Sequence, residues 1–292
     1  MSSLRKELVP IDAGDGTCSI ATFFEHQTTP DAPIIVCMPA LGVAAHAYRT
    51  LAEQLAAAGC VVITADHRGI GESSVRASRA TDFGYFETLC VDWPALVDVI
   101  RARHPAGPIF LLGHSLGGQL GALFAAANPG TVNGLILVAS CSVFYKGWGF
   151  PSRLAVLAGT QMAALIAQLI GYFPGKRLGF GGTEARRLMR DWARNARTGR
   201  YDVERCSHDF EGLLASSSTP VLSISIEGDH FAPLPACHNL TAKLKVAPIT
   251  TRRVSVAGRS GRSRHFEWLK LPLAVSREIE AWLGAQVGQS KV

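Results

Sequence analysis

Apolar runs of strand length alternate with helix-length amphipathic stretches along most of this chain, the pattern of an α/β domain built on a mostly parallel sheet. Residues 33–38 (Pro-Ile-Ile-Val-Cys-Met) and 60–65 (Cys-Val-Val-Ile-Thr-Ala) show no polar alternation, which suits strands buried on both faces. Residues 18–26 read as an earlier strand, paired antiparallel with residues near Leu8. A helix is expected over 46–58, stopping at Gly59, and another over 86–104 with one apolar face. A polar, Gly-rich loop at 66–84 lies between them. A short strand at 109–112, a turn at 113–118, a small-residue helix to about Asn128 and a strand at 132–140 follow.

The alternation then stops. Residues 145–215 hold no convincing strand and read as a helical cap inserted into a core formed by 1–144 and 216–292. The insertion predicts an apolar helix over 154–172, a Pro/Gly-rich turn at 174–182 and a helix over 184–197. In that second helix Ala185, Leu188, Met189, Trp192, Ala193 and Ala196 share one face, away from five arginines. The core pattern resumes with a strand at 220–226, a helix at 235–244, a strand at 250–256 and a last helix at 273–285.

Residues 154–173 carry no formal charge and approach the length of a membrane span. The segment contains Gly159, Thr160, Gln161, Gln168 and Gly171 and sits between globular-looking stretches, so a buried or lipid-touching cap helix is the preferred reading. Membrane contact is left open and is not the expectation. Its apolar residues Leu154, Val156, Leu157, Met162, Leu165, Ile166 and Leu169 are read first as core packing and second as the wall of an acyl pocket.

Composition changes this picture little. With 292 residues, 48% of them hydrophobic, the chain can bury a large core, and the formal net charge of +6 is a modest basic excess. Seven scattered cysteines with no C-x-x-C pair point to a reducing compartment without structural disulfides. The first ten residues hold no apolar signal core. A cytoplasmic location is therefore expected. Nothing in the fold or aromatic pattern supports nucleic-acid binding.

Gly113-His114-Ser115-Leu116-Gly117 matches G-x-S-x-G, directly after an apolar strand and opening an Ala/Gly/Leu-rich helix. That context makes Ser115 a candidate nucleophile on a sharp strand-to-helix turn, with the helix N-terminus aimed at a developing oxyanion. A serine hydroxyl needs a base, and with this motif the order along the chain is Ser, then Asp or Glu, then His. His265 is the candidate base, because it alone lies beyond the last strand; His208, His230 and His238 are the other histidines after Ser115. Asp229, just past the strand at 220–226, is the candidate acid, with Glu227 as fallback. The oxyanion hole is assigned to the amides of Leu116 and of Leu41, in the loop Pro39-Ala40-Leu41-Gly42, with Ala40 as second choice. No metal or organic cofactor is called for.

Asp66-His67-Arg68-Gly69-Ile70-Gly71-Glu72-Ser73 resembles the D-x-R-G-x-G-x-S loop of the α/β-hydrolase superfamily, and Asp229-His230-Phe231-Ala232-Pro233 resembles its acid-bearing D-x-x-x-P. Residues 171–179 (Gly-Tyr-Phe-Pro-Gly-Lys-Arg-Leu-Gly) and a late His-Phe resemble a group of bacterial α/β hydrolases of unassigned substrate. The resemblance covers about residues 5–286. It implies the α/β-hydrolase fold, a mostly parallel central sheet flanked by helices with a helical cap. It also implies covalent acyl-transfer chemistry by Ser115, His265 and Asp229. The group's Gly-His-Phe is replaced here by Arg264-His265-Phe266. Arg252, Arg253, Arg259, Arg262 and Arg264 gather before the base, as a solvated loop or, alternatively, an anion-selecting site. The expectation is a carboxylesterase-like serine hydrolase acting on a small molecule with an apolar acyl part. A thioesterase, lactonase, amidase or acyltransferase would use the same residues. A non-catalytic ligand-binding protein on this fold is the rival from another class. Halide- or epoxide-opening enzymes of the superfamily carry Asp where this chain has Ser115.

Overall fold

A computed structural model describes residues 4–256 and 264–289. Eight strands form one sheet in the order β1 (Arg5–Asp12), β2 (Cys18–Glu25), β4 (Val61–Ala65), β3 (Ile34–Met38), β5 (Ile109–His114), β6 (Gly134–Val138), β9 (Val221–Ile226) and β10 (Ile249–Val254). β1 and β2 make an antiparallel hairpin with Leu8 opposite Thr22, and β2 is antiparallel to β4. All other pairings are parallel. The continuous apolar runs have a simple cause. In β3, Ile34, Val36 and Met38 face one core layer while Ile35 and Cys37 face the other. Helices α3 (Trp93–Arg103) and α4 (Leu116–Ala127) cover the first layer. Helices α1 (Arg49–Ala57), α9 (Leu234–Thr241) and α11 (Leu273–Gln289) cover the second.

One expectation is refined and one needs correction. The helix foreseen over 86–104 runs from Tyr85 to Arg103 with an internal irregularity: α2 (Tyr85–Glu87) passes through a π turn at Thr88–Asp92 into α3. Pro94 has no N–H for the carbonyl four residues back, and the preceding turn widens to accommodate it. The insertion does contain strands. β7 (Tyr172–Pro174) and β8 (Thr183–Ala185) pair antiparallel around α6 (Gly175–Leu178). Three residues are too few for any alternation to register.

Between β6 and β9 the chain builds α5 (Ser152–Ile170), the β7/β8 pair, α7 (Arg186–Thr198) and α8 (Phe210–Ser216). The apolar face of α7 is buried as its spacing foresees, including Leu188, Met189, Trp192 and Ala196. Its arginines fasten the insertion to the core loop: Arg186 to Asp82 at 3.1 Å and Arg187 to Glu87 at 2.9 Å. α8 brings the chain back onto α4. Four of the seven apolar residues of α5 depart from the core-packing expectation, whereas Val156 and Leu157 are half-buried and Ile166 packs against the core. Its buried positions are the small ones, Thr160, Ala163 and Ala167, while Leu154, Met162, Leu165 and Leu169 are exposed. Close seating on α7 admits only small side chains between the two backbones.

Candidate active site

The turn from β5 into α4 explains each glycine of the motif. A Cβ at Gly113 would strike the Gly118 backbone, one at Gly117 the Met38 carbonyl, and one at Gly118 the Ser140 hydroxyl. Ser115 itself is held at φ 54°, ψ −113°, a strained conformation for a non-glycine residue. Its N–H donates to Val138 O at 3.1 Å, which pins the turn across the neighbouring strand.

His265 lies on α10 (Arg264–Glu267), and its Nδ1 is 2.7 Å from Asp229 Oδ2. Asp229 Oδ1 accepts from the amides of Phe231 (2.8 Å) and Ala232 (3.1 Å), so both carboxylate oxygens are fixed. Both residues are buried. Ser115 and His265 line one cavity of about 180 Å³, together with Leu41 and Leu116. No other histidine lines it among the described residues. His208 packs on Phe210, His238 sits on α9, and His230 lines a separate, larger cavity. Glu227 is exposed and pairs with Arg253 at 3.4 Å.

The Ala40 amide donates to Tyr48 Oη at 2.9 Å and is thereby occupied. Leu116 is the first residue of α4, where amides lack intrahelical acceptors. Of the two residues weighed in the loop after β3, Leu41 is the one whose amide is not committed to Tyr48. Pro39 O is tied to His67 Nε2 at 2.8 Å, which steadies this loop.

Sequence reasoning missed a buried relay behind the site. Burial pushes the Tyr48 phenol up, so it keeps its proton, and its hydroxyl is hydrogen-bonded to His114 Nδ1 at 2.7 Å. Burial, with the neighbouring His265, holds His114 well below its ordinary value, so it stays neutral, and it is hydrogen-bonded to the backbone of His265. The loop after β3 and the base are thus joined through Tyr48 and His114. The His265 ring is boxed by His114 (4.8 Å), Phe266 (4.8 Å) and Phe231 (5.6 Å). Position 114 lies inside the G-x-S-x-G motif, but nothing in the sequence pairs it with Tyr48.

The arginines have local partners. Arg252 pairs with Glu278 at 3.1 Å, Arg253 with Glu227, and Arg264 lies along Gly228 and donates to Glu227 O at 3.2 Å. None of the three lines either cavity. Arg259 and Arg262 fall outside the described residues.

The larger cavity, about 790 Å³, is walled by residues that include Val156, Met162, Ile166 and Phe173. Val143, Phe180, Trp192 and Phe231 line both cavities. No carboxylate lines either among the described residues.

Glu184 supports the insertion where it meets the loop after β3. A Cβ at Gly42 would strike Gly181 and Gly182, and Glu184 Oε1 accepts from the Gly182 amide at 2.7 Å. Burial raises the Glu184 carboxyl from 4.5 to about 7, against the opposing pull of that amide and of Lys176. The folded chain therefore keeps a proton that the unfolded chain sheds, and this residue's contribution to stability is lost as pH climbs from 4.5 to about 7. Glu184→Gln keeps the acceptor and removes the charge. It is expected to leave denaturant stability unchanged at about pH 4 and to raise it by up to about 3 kcal/mol at about pH 8. An equal change at both pH values would locate the effect elsewhere.

The sequence model of the family described as serine aminopeptidase, S33 matches residues 29–210. Human monoglyceride lipase is 34% identical over 124 residues, covering 42% of this chain and 40% of the lipase. The monoacylglycerol lipase of Mycolicibacterium smegmatis is 36% identical over 112 residues, covering 37% and 39%. The matches thus span about two fifths of these relatives' length. Among solved structures, a haloalkane dehalogenase loop variant from Bradyrhizobium elkanii superposes with a TM-score of 0.66 at 15% identity, covering 99% of both chains. Est1E from Butyrivibrio proteoclasticus, with ferulic acid bound, gives 0.63 at 17% identity, covering 96% of this chain and 99% of that one. These two share the fold.

Proposed function

The chain belongs to the serine aminopeptidase S33 family and has the α/β-hydrolase fold, and from that premise we propose that it hydrolyses carboxylic esters through Ser115, His265 and Asp229. The observation that carries this reading is the 2.7 Å contact of His265 Nδ1 with a doubly anchored Asp229, in a cavity shared with Ser115. Asp229 holds the imidazole with its proton on Nδ1, so that Nε2 is the nitrogen that accepts a proton. Ser115 Oγ attacks the ester carbonyl as His265 takes its proton. The oxyanion is met by the amides of Leu41 and Leu116. The proton passes to the leaving alcohol, water enters, and the acyl group departs as the acid. A thioester or lactone would fit the same steps.

An ester is favoured over an amino-terminal peptide by the cavity walls. A substrate α-ammonium needs a buried counter-charge, and the described walls hold none. The relatives named for monoglyceride and monoacylglycerol hydrolysis suggest a glycerol ester among the candidates. The apolar walls suit a medium-length acyl chain. A cytoplasmic location remains part of this proposal.

A series of p-nitrophenyl esters tests the reading. Each added methylene is expected to raise kcat/KM about fourfold from acetate upward, in line with roughly 0.8 kcal/mol per buried CH₂, until the cavity is filled. No turnover of any member would reject ester hydrolysis. A fall from acetate onward would reject the acyl pocket.

A further inference from the structure

We propose that the outer face of the insertion docks onto an anionic phospholipid bilayer. This goes beyond the hydrolase reading and does not depend on it. The helix α5 is inside out: Thr160, Ala163 and Ala167 face inward, while Leu154, Met162, Leu165 and Leu169 are 51%, 55%, 49% and 74% exposed. At about 100° per residue these four outward side chains fall within an arc of about 80°, and the inward three lie opposite. Phe150, before the helix, and Leu178, in α6, are exposed as well. Scattered exposed leucines carry no meaning, but a continuous apolar stripe marks a contact surface.

Charge identifies the occupant. Residues 142–183 contain Lys146, Arg153, Lys176 and Arg177 and not one Asp or Glu. All four cations are exposed, and none forms an ion pair among the described residues. An apolar face accompanied by cations suits a helix lying in the headgroup region of an acidic leaflet. A second copy docked face to face would bring these cations together, which opposes self-association. A span is opposed by the seating of α5 on α7 and by Arg79, which holds Ile170 O at 3.0 Å. Phe150, Met162 and Leu178 also line the 790 Å³ cavity, so docking would turn its mouth toward lipid.

Flotation of the full chain with phosphatidylcholine vesicles, and with vesicles in which a third of the lipid is phosphatidylglycerol, tests the proposal. Strong partition into the anionic vesicles is expected, with Arg153→Ala and Arg177→Ala each weakening it roughly fivefold. The triple variant Leu154→Ser, Leu165→Ser, Leu169→Ser should lose partition while keeping turnover of a soluble short-chain ester, because none of the three lines a cavity. Ser115→Ala should float like the parent, which separates docking from chemistry. Equal partition into both vesicle types, or a triple variant that floats like the parent, would overturn the proposal. So would a parent that ignores vesicles and forms a dimer that the triple variant splits.

Discussion

Replacing Ser115 by alanine is expected to lower ester turnover by about 10⁵- to 10⁶-fold and to abolish labelling by a fluorophosphonate probe, with the fold intact. The fold should survive for local reasons. The Ser115 side chain makes no capping bond to α4, and alanine keeps the Cβ, so the strain at φ 54° is neither relieved nor increased. The turn is held by the Ser115 N–H to Val138 O bond and by the glycines beside it, all of which remain. What disappears is the atom proposed to form the acyl enzyme. A residual rate over water should persist, because the oxyanion hole proposed at the Leu41 and Leu116 amides does not depend on the Ser115 side chain. Thermal melts of parent and variant should coincide while kcat collapses. Labelling that persisted in the variant would place the nucleophile elsewhere and remove the basis for the mechanism.

The core was legible in the sequence at β3, β5 and β6, whose apolar residues face both core layers. The glycines around Ser115 are forced by backbone contacts that no larger residue tolerates, so the motif carried its own geometry. The Asp229–His265 contact was reachable because chain order and strand ends leave few alternatives. Features set by tertiary contact were not legible. The relay from Ala40 through Tyr48 to His114 joins positions 40, 48 and 114, each unremarkable in its own segment. Glu184 reads as an ordinary helix-start acid until the Gly181–Gly182 loop closes over it. The pattern of α5 was misleading because periodicity reports an apolar stripe without saying which side faces the core. Large apolar residues are expected to face inward, and here the small residues take that place.

The same geometry makes Asp229→Asn the second large effect, a fall in kcat of about 10⁴-fold with little change in fold. Asparagine can keep its Oδ1 on the amides of Phe231 and Ala232, where Asp229 Oδ1 lies 2.8 and 3.1 Å away. Its amide nitrogen then takes the place of Oδ2, 2.7 Å from His265 Nδ1, and presents a donor where the imidazole now donates. The ring answers by moving its proton to Nε2, the atom that must accept one from Ser115. The defect is therefore one of tautomer, and it should appear in kcat more than in KM. Combining the change with Ser115→Ala should cost almost nothing beyond Ser115→Ala alone, since a base without a nucleophile has no task. A kcat for Asp229→Asn within tenfold of the parent would mean that another group orients His265. Glu227 could not be that group in this arrangement, because its carboxylate is engaged with Arg253 on the exposed side of the loop.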